Sequence, residues 1–296
     1  MSKVAVSGQA VIAFAEECNR GALRHENLNS VLHVHIELGE LMIVADGAGE
    51  STGGSVASRM VVEHFYAHLA ALPRDYAAEN AIREAAARAN ASILAANRAP
   101  GSPYQRLGST VVVALLQQSG DLTNAWIGHI GDSRAYLLRA GRLNCITTDH
   151  SAVQALLHRG LINPNEIENH PDSSVLTRSL GHQPVVDIEV EQLPLAVGDT
   201  LLLCSDGLWK FVPEQNIETA LGSVTVESAA HNLLEMALIA GGQDDIGIEL
   251  ARVISPPDNT ASQRAHTHPA IKVLFALFLL ILACLCILSY LTFWAR

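Results

Sequence analysis

Residues 40–47 read ELMIVADG and residues 201–207 read LLLCSDG, two apolar runs that each end in aspartate followed by glycine. A third run, WIGHIGDSR from Trp126 to Arg134, breaks at a Gly-Asp turn. Short continuous apolar runs bounded by Gly and Asp fit strands covered on both faces, because a strand with one wet face would alternate polar and apolar residues. Between them lie helical patterns at Ser55 to Leu72 and at Ala77 to Asn97, the second rich in Ala, Glu and Arg. A later pattern, Val226 to Ala240, sets Ala229, Leu233, Ala237 and Ile239 at near-helical spacing. A turn-rich stretch covers Asp149 to Gly181, one helix precedes the end of this part, and IGIELARV (246–253) supplies a last strand. This order is neither strict strand-helix alternation nor all-β. It predicts sheets flanked by helices, in one domain.

The 296 residues, 49% hydrophobic, suffice to fill a core and exclude disorder for most of the chain. With 19 Lys+Arg against 30 Asp+Glu the net charge is −11, which repels phosphate backbones and argues against a nucleic-acid partner. The five cysteines (Cys18, Cys145, Cys204, Cys284, Cys286) are odd in number, scattered and without a Cys-x-x-Cys pair. They fit neither a disulfide framework nor a thiolate zinc site, and imply a reducing compartment. Cys204 lies in an apolar run without basic neighbours, so it reads as a packed residue rather than a thiolate nucleophile.

The first 20 residues carry no secretory pattern. The other end differs. Val273 to Ala295 (VLFALFLLILACLCILSYLTFWA) has no charged residue and is bracketed by Lys272 and Arg296. As a helix it extends about 34 Å, enough for a hydrocarbon core of roughly 30 Å. Tyr290 and Trp294 sit near one end, where interfacial aromatics belong. Ser255 to Pro269, rich in Pro, Ser, Thr and His, reads as a linker. The expected organisation is a domain over 1–254, a linker over 255–270 and a single-pass membrane anchor over 271–296. Arg264 and Lys272 on the domain side favour a cytoplasmic domain.

Strand ends bearing Asp-Gly suit a divalent cation: the strand fixes the carboxylate, glycine lets the chain turn sharply, and the freed carbonyl adds an oxygen. Acidic sites of this kind recur at Asp46, Asp206 and the Asp244-Asp245 pair after Gly241-Gly242. No Cys/His ligand set accompanies them. Oxygen-only donors indicate Mg²⁺ or Mn²⁺ rather than zinc.

Eight segments in order carry a family resemblance: GALRHEN (21–27), VADGAG (44–49), GST (108–110), GDSRAYLLRAGRL (131–143), TTDHS (147–151), LTRSLG (176–181), CSDGLW (204–209) and GGQDDIG (241–247). Together they resemble the metal-dependent type 2C serine/threonine protein phosphatases, in their compact bacterial form. The resemblance implies an α+β fold, a four-layer α-β-β-α sandwich of two antiparallel sheets with helices on both outer faces. It implies that Asp46 bridges two Mn²⁺ or Mg²⁺ ions with the Gly47 carbonyl beside it, and that Asp206 and Asp244 complete the first ion's ligands. Asp132 would hold a third, weaker ion together with Asp206, and Arg24 would meet the substrate phosphate. Paired cations lower the pKa of a shared water and neutralise charge at phosphorus, while arginine offers a planar fork to phosphate oxygens.

Three departures from the family pattern stand out. Asn29 replaces an aspartate, which weakens the second ion unless Glu26 compensates; Glu50 replaces a glycine; and Asp245 replaces an asparagine. His129, His150 and His182 are given no catalytic role, and His150 reads as a structural hydrogen-bonding residue. The leading expectation is hydrolysis of phosphoserine and phosphothreonine in proteins at a membrane, with phosphorylated proteins and membrane-associated serine/threonine kinases as partners. Two readings stay beside it: a pseudophosphatase scaffold that binds phosphoproteins at the membrane, and a small-phosphoester hydrolase using the same metals.

Overall fold

The computed structural model describes residues 3–6, 11–22, 26–48, 52–102, 106–119, 122–167 and 170–254. Arg24, Glu50, the linker and the apolar tail lie outside the described residues. Among those described, the chain runs β1 (Lys3–Val6), β2 (Val11–Asn19), β3 (Asn29–Ile36), β4 (Gly39–Ala48), α1 (Thr52–Leu69), α2 (Ala78–Arg98), β5 (Gly108–Ser109), β6 (Val111–Ser119), β7 (Leu122–Ile130), β8 (Arg134–Arg139) and β9 (Arg142–Cys145). It continues with α3 (Ala152–His158), β10 (Glu189–Leu195), β11 (Thr200–Cys204), α4 (Asp206–Trp209), α5 (Glu214–Leu221), α6 (Val226–Ile239) and β12 (Ile246–Ile254).

The strands form two antiparallel sheets, ordered β1-β2-β12-β11-β8-β9 and β10-β7-β6-β4-β3, with β5 paired to β4. Alternation along each strand assigns its side chains to separate layers. On β4, Leu41, Ile43 and Ala45 join the core beneath α1 and α2, whereas Met42 and Val44 face the other sheet. On β11, Leu201 and Leu203 fill the seam between the sheets, and Leu202 and Cys204 pack against α5 and α6. Both faces are dry, which is why these runs carry no polar alternation. The result is a helix-sheet-sheet-helix sandwich.

The helices lie on the sheets through narrow stripes. Ala81, Ile82, Ala85, Ala86, Ala89 and Ile93 of α2 recur at three- and four-residue intervals and are fully buried. Helix α6 starts at Thr225, whose side chain accepts from the Ser228 N–H at 3.1 Å and so satisfies a terminal donor.

The architecture departs from the sequence pattern in detail. The turn-rich stretch contains α3, and α4 and α5 precede α6 where one helix was expected. These helices span four to eight residues, too few for a periodic pattern to register. Among the described residues no helix is long and apolar enough to cross a membrane; the run at 273–295 lies outside them.

Candidate metal centre

Strands β4 and β7 both run antiparallel to β6, so their C-terminal ends fall at one end of that sheet. In the other sheet the end of β11 pairs with the start of β12. Asp46 lies near the end of β4, Asp132 follows β7, Asp206 follows β11 and Asp244 precedes β12. Asp46 has the parity of Met42 and Val44, which directs it into the seam. There it contacts the Asp206 carboxylate and feels the charges of Asp206, Asp132 and Asp244. The four aspartates predicted to share a site are thus brought together. Arg24, the remaining side chain of the predicted set, lies outside the described residues.

Surrounding groups fix the backbone of Asp46 and Asp132. The Asp46 carbonyl accepts from the Thr110 N–H at 2.8 Å and the Ser109 hydroxyl at 2.9 Å, and Thr110 is itself bonded to Ser133 at 2.7 Å. This is the physical role of the GST segment. Trp209 Nε1 donates to the Asp132 carbonyl at 2.9 Å. Over that indole, 3.5 Å from its centroid, lies the Arg134 guanidinium, which forks onto Asp149 at 2.7 and 2.8 Å. GDSR, TTDHS and CSDGLW therefore meet in one assembly that holds the Asp132 turn. Gly207 is required by close approach, since a Cβ there would collide with the Asp245 carbonyl.

The electrostatics suit a cation. Burial first, then the charges of Asp206, Asp132 and Asp244, raise the Asp46 carboxyl well above its ordinary range. Burial and Asp206 push Asp132 up to about 7, with Lys210 opposing them. The Lys210 ammonium lies 2.7 Å from Asp206 Oδ2 and 3.5 Å from Asp132 Oδ2. Asp206 Oδ1 is buried, and among the described residues no donor reaches it. An oxygen-only set of crowded carboxylates with an unanswered acceptor fits a hard divalent ion, so these residues fit Mg²⁺ or Mn²⁺.

The departures acquire physical roles. Asp245 is buried, and its two oxygens accept from the Gly21 N–H at 3.0 Å and the Leu28 N–H at 2.8 Å. It clamps both ends of the segment that carries Arg24. Asn29 sits opposite Asp46 in the β3-β4 register. Its Nδ2 donates to Ser205 Oγ and to the Asp245 carbonyl, both at 2.9 Å, while among the described residues no donor reaches its buried Oδ1. Glu26 Oε1 accepts from the Ser55 hydroxyl at 2.9 Å. Lys210 and the Arg134-Trp209-Asp149 assembly were missed by sequence reasoning. A basic residue four positions after a candidate metal aspartate was the available signal for the first.

The histidines fall into structural places. His129 and His150 stack with centroids 4.6 Å apart; His129 bonds the Thr148 carbonyl at 2.9 Å, and His150 Nδ1 accepts from the Gly131 N–H at 3.2 Å. Burial lowers the pKa of both. His150 Nε2 and Arg178 meet Glu189 at 3.0 and 2.7 Å, next to a cleft of about 440 Å³ that is separate from the four carboxylates.

The sequence profile described as protein phosphatase 2C matches residues 22–236. The chain belongs to the protein phosphatase 2C family. Its relatives include the serine/threonine protein phosphatase PstP of Mycobacterium tuberculosis, 36% identical over 247 residues, which are 82% of this chain and 45% of PstP. The chain thus spans about half the length of that relative. The serine/threonine phosphatase stp of Listeria monocytogenes is 34% identical over 237 residues, 78% of this chain and 92% of stp. The crystal structure of the PstP catalytic domain in complex with two manganese ions superposes with a TM-score of 0.73 at 32% identity, covering 83% of this chain and all of that one. The α+β architecture of two antiparallel sheets with flanking helices is accordingly the protein phosphatase 2C fold.

Proposed function

We propose that this chain is a metal-dependent phosphatase that hydrolyses phosphoserine and phosphothreonine in proteins. The observation that carries the reading is the convergence of Asp46, Asp132, Asp206 and Asp244, with a buried Asp206 oxygen that no described donor reaches. Asp46, the Gly47 carbonyl, Asp206 and Asp244 would hold two Mn²⁺ or Mg²⁺ ions, as the PstP domain carries two manganese ions. When bound, such ions supply an activated water for attack at phosphorus and neutralise the charge that develops there.

The chain's own residues orient and restrain. Ser109 and Thr110 hold the Asp46 backbone, Trp209 holds that of Asp132, and Asp245 fixes the ends of the segment bearing Arg24. An arginine at position 24 would offer two parallel donors to phosphate oxygens, which a lysine would not reproduce. The run at 273–295 would anchor the domain at the cytoplasmic face of a membrane, placing phosphorylated targets of membrane-associated kinases within reach.

Release of phosphate from a phosphothreonine peptide by the full chain in detergent tests the reading, with added Mn²⁺ and then with chelator. Activity is expected with Mn²⁺ and absent with chelator; activity that survives chelation refutes the metal mechanism, and none in either condition favours the scaffold. Asp46→Asn and Asp206→Asn are expected to lose turnover by roughly a hundredfold or more while remaining folded. Faster hydrolysis of small phosphodiesters than of phosphopeptide would transfer the assignment to a small-phosphoester hydrolase. For the anchor, membrane pelleting of the full chain but not of one ending at residue 269 is expected; a full chain that stays in the supernatant contradicts it.

A further inference from the structure

Lysine is scarce in this chain. Lys3, Lys210 and Lys272 are the three present, and every other basic residue apart from histidine is arginine. The one within the body of the domain stands between two of the four clustered aspartates. Helix α4 begins at Asp206, and the Lys210 N–H returns to the Asp206 carbonyl at 3.0 Å, so one helical turn stacks the two side chains. Nζ then reaches Asp206 Oδ2 at 2.7 Å and Asp132 Oδ2 at 3.5 Å, and stands 5.3 Å from the centre of the Trp209 ring. The side chain is a quarter exposed and its carboxylate partners are 8% and 13% exposed.

We propose that the Lys210 ammonium is a built-in cation that takes the place between Asp132 and Asp206 otherwise available to a third divalent ion, and limits this centre to two. The inference rests on the metal-dependent reading above. Charge favours it: two divalent ions already match the four carboxylates, and Lys210 adds a further positive charge. A third ion would have to expel the ammonium from a carboxylate it touches and then sit near its charge. Geometry favours it as well. An ammonium is a compact point charge that fits between two carboxylates, whereas the planar guanidinium used elsewhere in the chain is shaped for a bidentate fork.

Mn²⁺ stoichiometry, counted by equilibrium dialysis and by the loss of free-ion signal in electron paramagnetic resonance, tests this on the full chain. The wild type is expected to bind two ions. Lys210→Gln and Lys210→Met are expected to bind a third, at least about tenfold tighter than any third ion on the wild type. A second measurement uses no substitution. The rate at which an amine reagent modifies Lys210, read by mass spectrometry, is expected to be the same with and without saturating Mn²⁺. Three ions on the wild type, two on both neutral variants, or a large rise in Lys210 labelling on adding Mn²⁺ would each overturn the proposal. A wild type that binds no Mn²⁺ overturns the metal-dependent reading itself, which distinguishes the two failures.

Discussion

Asp245→Asn removes one negative charge and changes no atom count in the side-chain skeleton, yet it should disturb the protein at a defined place. Asp245 Oδ1 and Oδ2 each serve one backbone donor, Gly21 N–H at 3.0 Å and Leu28 N–H at 2.8 Å. An asparagine offers one acceptor oxygen and turns an NH₂ group toward the other donor. One buried backbone N–H then loses its partner, at a cost of about 1–3 kcal/mol. At roughly 2–4 °C per kcal/mol for a domain of this size, the melting temperature should fall by about 2–12 °C. Thermal unfolding in chelator measures that fall. Amide exchange localises it: protection at Gly21 or Leu28 should drop by about five- to 150-fold, each 1.4 kcal/mol being about a factor of ten. Because the loosened segment bears Arg24, KM for phosphopeptide should rise more than kcat falls. An unchanged melting temperature together with unchanged exchange at both amides would refute the clamp.

Other outcomes follow from the same geometry. In the metal-free protein Asp46 is raised and Asp132 lies at about 7, so their contribution to stability is present below the ordinary carboxylate range and is lost as pH rises through about 7. Mn²⁺ at one fixed concentration, about a hundredfold above its Kd at pH 8, should therefore raise the melting temperature by roughly 5–10 °C near pH 8 and by much less near pH 5, where protons compete for the carboxylates, read by calorimetry; an equal shift at both pH values contradicts it. His129 and His150 are lowered by burial, so the stability they confer is whole above the ordinary histidine pKa and is lost as pH falls below it. Replacing both by glutamine should flatten the loss of stability between about pH 7 and 5. Cys204 is fully buried and burial pushes its thiol up. It should resist an alkylating reagent at neutral pH until the protein unfolds, as peptide mapping would show.

Buried sheets were legible because Leu41 to Ala45 and Leu201 to Cys204 lack polar alternation, whereas the four-layer sandwich was what the family resemblance implied. Asp46 and Asp206 were legible because each stands where such a run stops, Asp244 because it follows Gly241-Gly242, and Asp132 through the family resemblance. What escaped were partners defined across the seam. Nothing local to Asp245 says that its carboxylate reaches back 224 and 217 positions to Gly21 and Leu28. The same holds for Arg134, whose guanidinium is spent on Asp149 and the Trp209 face. Lys210 was overlooked for a different reason. An i, i+4 pair on a helix is ordinarily a solvated surface pair, and only the convergence of Asp132 makes this one part of the site.

The central claim is that carboxylates from three separated stretches of sequence hold paired divalent ions at one end of the seam. Anomalous diffraction at the manganese edge from crystals grown with Mn²⁺ tests it directly. Two peaks are expected among Asp46, the Gly47 carbonyl, Asp206 and Asp244, and both should vanish in Asp46→Asn. Peaks located elsewhere, or none at saturating Mn²⁺, would contradict the account.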